Sequence, residues 1–220
     1  MTATPSLAAL FPPQGLVVRT GDLTLRPLTD ADLPEYAQLL REPIFADPGA
    51  VHVFAWYAVE PETRIREALR FQWRLRAELS AQKWTLPFGI WADDRLIGCQ
   101  DLVATDFAAR RVVESGSWLT LSAHGRGYGK LMRQAVLVLA FDHLGAQRAE
   151  SGAAATNAAS IAVSHACGYV DNGTEISRMF DPPQLQRRFL ATPGTFRRPP
   201  VDVEVEGLTP ALREMLGADG

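Results

Sequence analysis

Apolar and polar residues follow two different periods along the first half of the chain. Residues 23–28 alternate with a period of two, which predicts a half-buried strand. Between residues 63 and 80 the apolar positions recur at helical spacing, which predicts an amphipathic helix; its apolar positions are Ile65, Leu69 and Trp73. Asp32, followed by Pro34 and Glu35, forms an N-cap pattern that predicts a shorter helix ending at about Leu40.

The rest of the chain predicts a mixed sheet. Asp93 and Asp94 separate two apolar runs, which indicates a hairpin. The later elements are predicted as strands at 112–120, 149–154, 174–180, 185–191 and 201–206, and helices at 127–143 and 157–167. This order is typical of an α/β protein with a single mixed, mostly antiparallel, twisted sheet and helices on both faces. We interpret 1–220 as one domain with a loosely packed N-terminal arm (1–16), a core (17–192) and a C-terminal extension (193–220).

Composition excludes several classes of protein. The chain has 220 residues with 47% hydrophobic side chains and a net charge of -3, which gives no basic field for nucleic acid. It has no apolar run long enough to cross a membrane and no secretory signal, so no membrane association is expected. Its two cysteines, Cys99 and Cys167, are too few for a disulfide framework, which predicts a cytoplasmic protein. The histidines lack metal-ligand spacing, so no metal is expected.

The glycine-rich turn between the strand at 112–120 and the next helix predicts an anion site. Its residues are His124, Gly125, Arg126, Gly127, Tyr128, Gly129 and Lys130. Glycines at a helix N-terminus let a phosphate approach unpaired backbone N–H groups. The spacing fits neither the phosphate-binding loop of nucleotide hydrolases nor the dinucleotide-binding fingerprint.

The turn resembles the coenzyme A loop of the GNAT family of N-acetyltransferases, in which Gly127 and Gly129 match the two glycines. A second segment, 156–169, resembles that family's later motif, with Asn157 and Ser160 followed by a helix and Gly168-Tyr169. The resemblance runs from Leu23 to about residue 180 and is closest to the ribosomal-protein N-acetyltransferase-like branch. It is also similar to bacterial members that use acetyl-CoA or succinyl-CoA.

The resemblance implies an acyl-CoA-dependent N-acyltransferase in which a primary amine attacks the thioester directly. Backbone N–H groups of the preceding strand would hold the thioester carbonyl; these belong to Ser117, Trp118, Leu119 and Thr120. Asn157 and Ser160 would contact the pantetheine arm, although Asn157 also fits a plain N-cap. His124 and Lys130 depart from the family pattern, and His124 is interpreted as a neighbour of the phosphates. These departures leave open a second class, a CoA-binding sensor or interaction module with weak catalysis.

The proton-transfer residues are expected on the elements that flank the thioester. Ser164 lies seven residues after Asn157, where relatives place the group that protonates the leaving thiolate; an ordinary helix serine is the alternative. Glu114 is the first candidate for the general base, since an apolar wall could raise its pKa, and an exposed strand glutamate is the alternative. Asp106 and Asp47 are the second and third candidates.

The sequence says less about the amine acceptor and about the oligomeric state. The amine could belong to a small molecule, a protein N-terminus or a lysine, and residues 43–61 are expected to build its pocket. Arg66, Arg70 and Arg74 form a helical stripe that favours a solvated face over a carboxylate site. The alternating tail strand at 201–206 needs a sheet edge or a partner to pair with, and on this basis we predict a homo-oligomer, most simply a dimer.

Overall fold

The computed structural model describes residues 4–47, 50, 55–178 and 182–219. Within them a single sheet has nine strands in the order β7-β8-β6-β5-β4-β3-β2-β1-β9. The strands are β1 Val17–Thr20, β2 Leu23–Pro27, β3 Lys83–Ala92, β4 Arg95–Thr105, β5 Val112–Leu119, β6 Arg148–Ala154, β7 Val170–Ser177, β8 Gln184–Ala191 and β9 Glu204–Glu206. Every neighbouring pair is antiparallel except β5 and β6, which are parallel. The predicted mixed, mostly antiparallel sheet is therefore confirmed.

Helices cover both faces of this sheet, as predicted. They are α1 Leu7–Leu10, α2 Leu33–Leu39, α3 Ala55–Ala58, α4 Pro61–Ala77, α5 Phe107–Arg110, α6 Tyr128–Val138, α7 Ala158–Ala166 and α8 Pro210–Met215. A π-helical turn, Leu139–His143, extends α6 to the predicted end of that helix. No helix among the described residues has the length and apolar character of a membrane span.

Two hydrophobic clusters lie on opposite faces of the sheet. The larger one packs α6, α7 and α8 against the central strands, with Trp84, Phe88 and Phe107 almost fully buried. The smaller one packs α2 and α4 against the other face, around Tyr36 and Cys99. Burial of this much apolar surface is the main favourable term for such a fold. The short pairing between β5 and β6 leaves a gap in the sheet, which lies between these two clusters.

The hairpin and the long N-terminal helix form for the predicted reasons, with one change of face. Asp93 and Asp94 adopt positive φ angles of 49° and 58°, the left-handed conformations that a tight two-residue turn requires. On α4, Ile65 is buried as expected, but Trp73 is exposed and Gln72 takes the inward position. The apolar stripe of α4 therefore turns away from Trp73 towards the side on which Gln72 lies.

Both ends of the chain pack more closely than the sequence suggested. The N-terminal segment forms α1 and a 3-10 turn, Pro12–Gly15, and both Pro13 and Leu16 are buried. The following strand β1 was not predicted. The tail strand β9 pairs antiparallel with β1, so it finds its partner within the same chain. Of the two expected alternatives, the tail strand therefore takes the sheet edge, so it gives no support to the homo-oligomer, which stays a prediction.

Two smaller expectations also change. The capping box near α2 uses Thr29 and Asp32 around a preceding 3-10 turn, whereas Glu35 accepts a hydrogen bond from the Leu96 N–H at 3.0 Å. The arginine stripe on α4 is exposed along its length, as predicted. One of its members, Arg70, forms a surface ion pair with Glu67.

Candidate active site

A gap opens in the middle of the sheet because β5 and β6 pair over only three residues. The paired positions end at Glu114 and Glu150. Beyond them β5 continues to pair with β4, and β6 continues to pair with β8, but not with each other. At the first position past the last pair, the Ser151 hydroxyl donates to the Ser115 carbonyl at 3.2 Å. The two strands thus diverge towards the end of β5 that leads into the glycine-rich turn.

The glycine-rich turn presents a row of unused backbone donors at the mouth of this gap. Gly125 and Gly127 have φ angles of +75° and +82°, and a Cβ at either position would meet nothing within 4 Å. In the described part of the chain, the N–H groups of residues 125–129 have no backbone or side-chain acceptor. Gly127 is the N-cap of α6, so these donors lie at the positive end of its dipole. Such an arrangement fits a pyrophosphate.

The charged residues of the turn divide into two groups. Arg126 and Lys130 are exposed beside the unused N–H groups and can add positive charge for phosphates. The His124 ring contacts the end of β5, because its Nε2 lies 3.2 Å from the Leu119 carbonyl oxygen, and its place beside the phosphates stays a prediction. It therefore ties the turn to the end of β5.

Only part of the predicted carbonyl-binding strand faces the gap. The carbonyl of Ser115 is bonded across the gap, and successive residues of a strand point their backbone groups alternately to either side. The N–H groups of Ser117 and Leu119 therefore point into the gap. Thr120 donates its N–H to the Ile97 carbonyl at 2.9 Å, so it is not available to a ligand. By the same alternation, Trp118 directs its N–H towards β4.

The Trp118 side chain forms part of an aromatic wall on the α2 face. Its ring centroid lies 6.4 Å from that of Tyr36 and 5.4 Å from that of Trp56. Tyr57 continues the wall, with its ring 5.8 Å from that of Trp56. These aromatic residues lie at the edge of the segment 43–61 that was expected to build the acceptor pocket, of which residues 48–49 and 51–54 lie outside the described residues.

The residues predicted on α7 are engaged within their own helix. Asn157 is the N-cap, and its Oδ1 accepts the Ser160 N–H at 3.1 Å. Ser164 is fully buried, and its hydroxyl donates to the Ser160 carbonyl at 3.1 Å. This bond is the one that the alternative of an ordinary helix serine implies, and the role of Ser164 in protonating the leaving thiolate stays a prediction.

Glu114 lies among charged side chains. Its carboxylate is half exposed and forms an ion pair with Arg188 at 3.1 Å. Arg188 also contacts Glu150 and Glu175, so three carboxylates converge on one guanidinium. Glu114 therefore belongs to a cluster of charged side chains, as the alternative of an exposed strand glutamate implies, and its role as a general base stays a prediction.

The two other acidic candidates lie in different parts of the fold. Asp106 precedes α5 with a φ angle of +50°, at the end of β4 that is remote from the glycine-rich turn. Asp47 is exposed in the segment that follows α2.

Asp101 is the carboxylate that the sequence analysis missed. It lies on β4 directly opposite Gly116 of β5, one residue before Ser117. Among the described residues no hydrogen bond or ion pair reaches its carboxylate, and burial raises its pKa to about 7. The side chain faces the α2 side, where its charge helps to raise the pKa values of Tyr36 and Cys99. An acidic residue inside an otherwise apolar strand was the available signal.

Arg133 is the second missed residue. It belongs to α6 and is only 3% exposed, yet its guanidinium reaches both edges of the gap. Nη1 donates to Ser151 Oγ on β6 and Nη2 donates to Ser117 Oγ on β5, each at 3.1 Å. A charged residue on the inward face of an amphipathic helix was the signal. Arg133 therefore bridges β5 and β6 through these two serine side chains, at positions where the two strands no longer pair with each other.

Comparison with known proteins identifies the class. Residues 22–170 match the family model described as the acetyltransferase (GNAT) domain. The chain therefore belongs to the GNAT family of acyl-CoA-dependent N-acyltransferases, which confirms the predicted family and fold.

The described residues contain no group of three or more His, Cys, Asp or Glu side chains that could hold a metal ion.

Solved structures support the same fold. RimJ from Mycobacterium smegmatis, in complex with a CoA-disulfide, is 20% identical with a TM-score of 0.67, over 83% of this chain and 90% of that one. RimL, a ribosomal-protein alpha-N-acetyltransferase in complex with coenzyme A, is 16% identical with a TM-score of 0.64, over 80% and 97%. A spermidine N-acetyltransferase, the SpeG K23-Q34 chimera from Vibrio cholerae and hSSAT, is 18% identical with a TM-score of 0.60, over 78% of this chain and 96% of that one. At these identities the similarity shows the fold alone.

Proposed function

We propose that this chain transfers an acyl group from acyl-CoA to a primary amine by direct attack of the amine on the thioester. The observation that carries this proposal is the row of unused N–H groups at residues 125–129, which opens onto the gap between β5 and β6. Acetyl-CoA is the default donor, as in the family, and succinyl-CoA is the alternative. The residues present fit such a donor because both positive-φ glycines leave open space where a side chain would otherwise stand.

On the donor side, each part of the site has a distinct task. The N–H groups of the turn, with Arg126 and Lys130, would bind the pyrophosphate by charge-assisted hydrogen bonds. The N–H groups of Ser117 and Leu119 would hold the carbonyl oxygen and stabilise the negative charge that develops on it. Asn157 and Ser160 are proposed to border the pantetheine arm, since the start of α7 lies on the same face as α6.

On the acceptor side, Asp101 is the residue that best suits a general base. An amine must lose a proton before or during attack, and a base with a pKa near the working pH does this most effectively. Burial raises the pKa of Asp101 to about 7, and no partner neutralises it. Its register opposite Gly116 brings it beside the proposed carbonyl site. Glu114 lies two residues before Gly116 on β5, and its role as a base stays a prediction. Its ion pair with Arg188 favours a role in acceptor binding.

The departing thiolate needs a proton or a positive field. Ser164 stays a prediction for this role, although its hydroxyl is buried and bonded to Ser160. The acceptor is proposed to be a protein N-terminus, a lysine or a small polyamine, since the structural neighbours include a ribosomal-protein acetyltransferase and a spermidine acetyltransferase. The cytoplasmic location and the homo-oligomer also stay predictions.

Calorimetry and a thiol-release assay together test the proposal. The purified protein is titrated with CoA and acetyl-CoA, and free thiol is then measured with acetyl-CoA and a panel of N-terminal peptides, lysine peptides and polyamines. Donor binding with amine-dependent thiol release is the expected result. Donor binding without thiol release across the panel would instead favour the sensor or interaction module. Absence of donor binding would remove both functions.

A further inference from the structure

The buried side chain of Arg133 joins β5 and β6 at the place where the two strands part. Its Nη1 donates to Ser151 Oγ on β6 and its Nη2 donates to Ser117 Oγ on β5, each at 3.1 Å. If the register of the paired segment continued, Ser117 would lie opposite Ala153 and not near Ser151. The guanidinium therefore connects the strands diagonally, outside the register that their backbones set.

The guanidinium also fixes the direction of the neighbouring hydrogen bonds. It can only donate, so both serine oxygens accept from it and their own hydrogens point elsewhere. Ser151 uses its hydrogen for the Ser115 carbonyl, at 3.2 Å. In a continued parallel ladder this carbonyl would accept a backbone N–H of β6. The Ser151 hydroxyl takes the place of that N–H, so the ladder ends at this position.

The sequence of the two strands does not explain why they stop pairing. Residues 115–117 are Ser-Gly-Ser and residues 151–153 are Ser-Gly-Ala, so all are small and none is a proline that would remove a ladder donor. A buried charge is costly unless it is paired, and among the described residues no carboxylate forms an ion pair with Arg133. A buried cation that meets only neutral hydroxyls indicates a task other than stability.

We propose that Arg133 is a positioning residue that holds β5 and β6 apart and so keeps the Ser117 N–H available to the thioester carbonyl. Without the guanidinium, this part of β5 would move towards β6, and the Ser117 N–H would pair with a carbonyl of that strand. Arg133 acts through Ser117 and needs no contact with the donor. The inference rests on the proposed function and adds a residue to its donor side.

Two donors that differ only in the carbonyl test this role by calorimetry. These are acetyl-CoA and S-ethyl-CoA, in which a CH₂ group replaces the carbonyl. We expect the wild-type protein to bind acetyl-CoA about threefold to tenfold more tightly, as one hydrogen bond would give. In Arg133→Met this ratio should fall to about one while the Kd of CoA stays within about threefold. Its kcat with acetyl-CoA should fall at least about tenfold, because a carbonyl donor is displaced.

Gln134→Met is the matched control on the same helix. Gln134 is the next residue of α6 and is also buried, but its Nε2 donates to the Arg197 carbonyl, in the segment after β8. Its replacement also removes a buried polar group and should leave the ratio of the two Kd values unchanged. Ser117→Ala should lower the ratio as Arg133→Met does, and the double variant should be no worse than either, since both act through one contact.

Each other result overturns the inference. An unchanged ratio in a folded Arg133→Met means that the guanidinium does not position the carbonyl site. An equal loss of affinity for CoA, acetyl-CoA and S-ethyl-CoA means that it serves only the architecture of the sheet. If Arg133→Met does not fold, Ser117→Ala decides by the same ratio. Equal affinity of the wild-type protein for acetyl-CoA and S-ethyl-CoA overturns the inference but leaves donor binding intact, whereas failure to bind CoA would remove the proposed function as well.

Discussion

Replacing Asp101 with asparagine separates the general-base proposal from a purely structural role. The substitution keeps the size and removes the ionisable group. A lost general base typically costs about 10²–10⁴ in rate. We therefore expect kcat/KM to fall by at least about a hundredfold at pH 8. In the wild-type protein the rate should rise with pH through about 7, because the deprotonated carboxylate is the active form. This rise should disappear in Asp101→Asn.

The same substitution has a predicted effect on stability, with a definite sign. The folded pKa of about 7 lies above the unfolded value of 3.8, so the folded state favours the protonated carboxyl. Its contribution to stability is present below pH 3.8 and is lost as the pH rises through about 7. Between pH 5 and pH 8 the wild-type protein should lose about 2–3 kcal/mol that Asp101→Asn does not lose. Urea unfolding at the two pH values measures this difference.

Two further variants complete the experiment. Asp94→Asn, in the exposed β3–β4 turn, makes the same chemical change away from the gap and should alter neither activity nor the pH dependence of unfolding. Glu114→Gln tests the competing base. If Asp101→Asn keeps near wild-type kcat/KM and its pH profile while Glu114→Gln loses both, the reasoning from burial is refuted and the prediction from sequence stands.

Three other substitutions test the donor side. Gly127→Val should raise the Kd of CoA at least about tenfold in calorimetry, because a side chain would enter the open space over the N–H groups. Gly173→Val is the control, since Gly173 has a similar positive φ of +87° and equally open surroundings, and it should leave the Kd unchanged. Asn157→Ala removes an N-cap and should lower the free energy of unfolding by about 1 kcal/mol; an unchanged urea midpoint would contradict the capping role. Ser164→Ala tests the proposed proton donor and should lower kcat by about a hundredfold while the Kd of CoA stays almost unchanged. A kcat within about threefold of the wild-type value would show that the hydroxyl, which donates to the Ser160 carbonyl, serves only its own helix.

Local patterns were sufficient to predict most of the elements and the glycine-rich turn. The alternation in β2, the helical spacing in α4 and the Asp93-Asp94 turn each depend on residues close together in sequence. The turn at residues 125–129 was found for the same reason, since its glycines and the following helix are contiguous. Asn157 was correctly assigned as an N-cap because capping is also a local interaction.

What the sequence did not predict depends on contacts between distant elements. Asp101 matters only because β4 brings it opposite Gly116, and Arg133 only because α6 lies over the gap between Ser117 and Ser151. The ion pair of Glu114 could not be predicted, because Arg188 lies 74 residues later in the chain and has no visible relation to it in sequence. The pairing of β9 with β1 is a contact of the same kind between the two ends of the chain.

The short contact between β5 and β6 divides the sheet into two bodies of unequal size. Three strands, β6 to β8, carry α7, and the other six carry α6 and the glycine-rich turn. A donor bound as proposed would touch the turn on the larger body and the start of α7 on the smaller one. The bound donor would therefore connect the two bodies and fix their relative position before the amine binds. In that case the acceptor meets a rigid surface only after the donor has bound, which makes donor-first binding the natural order of the reaction.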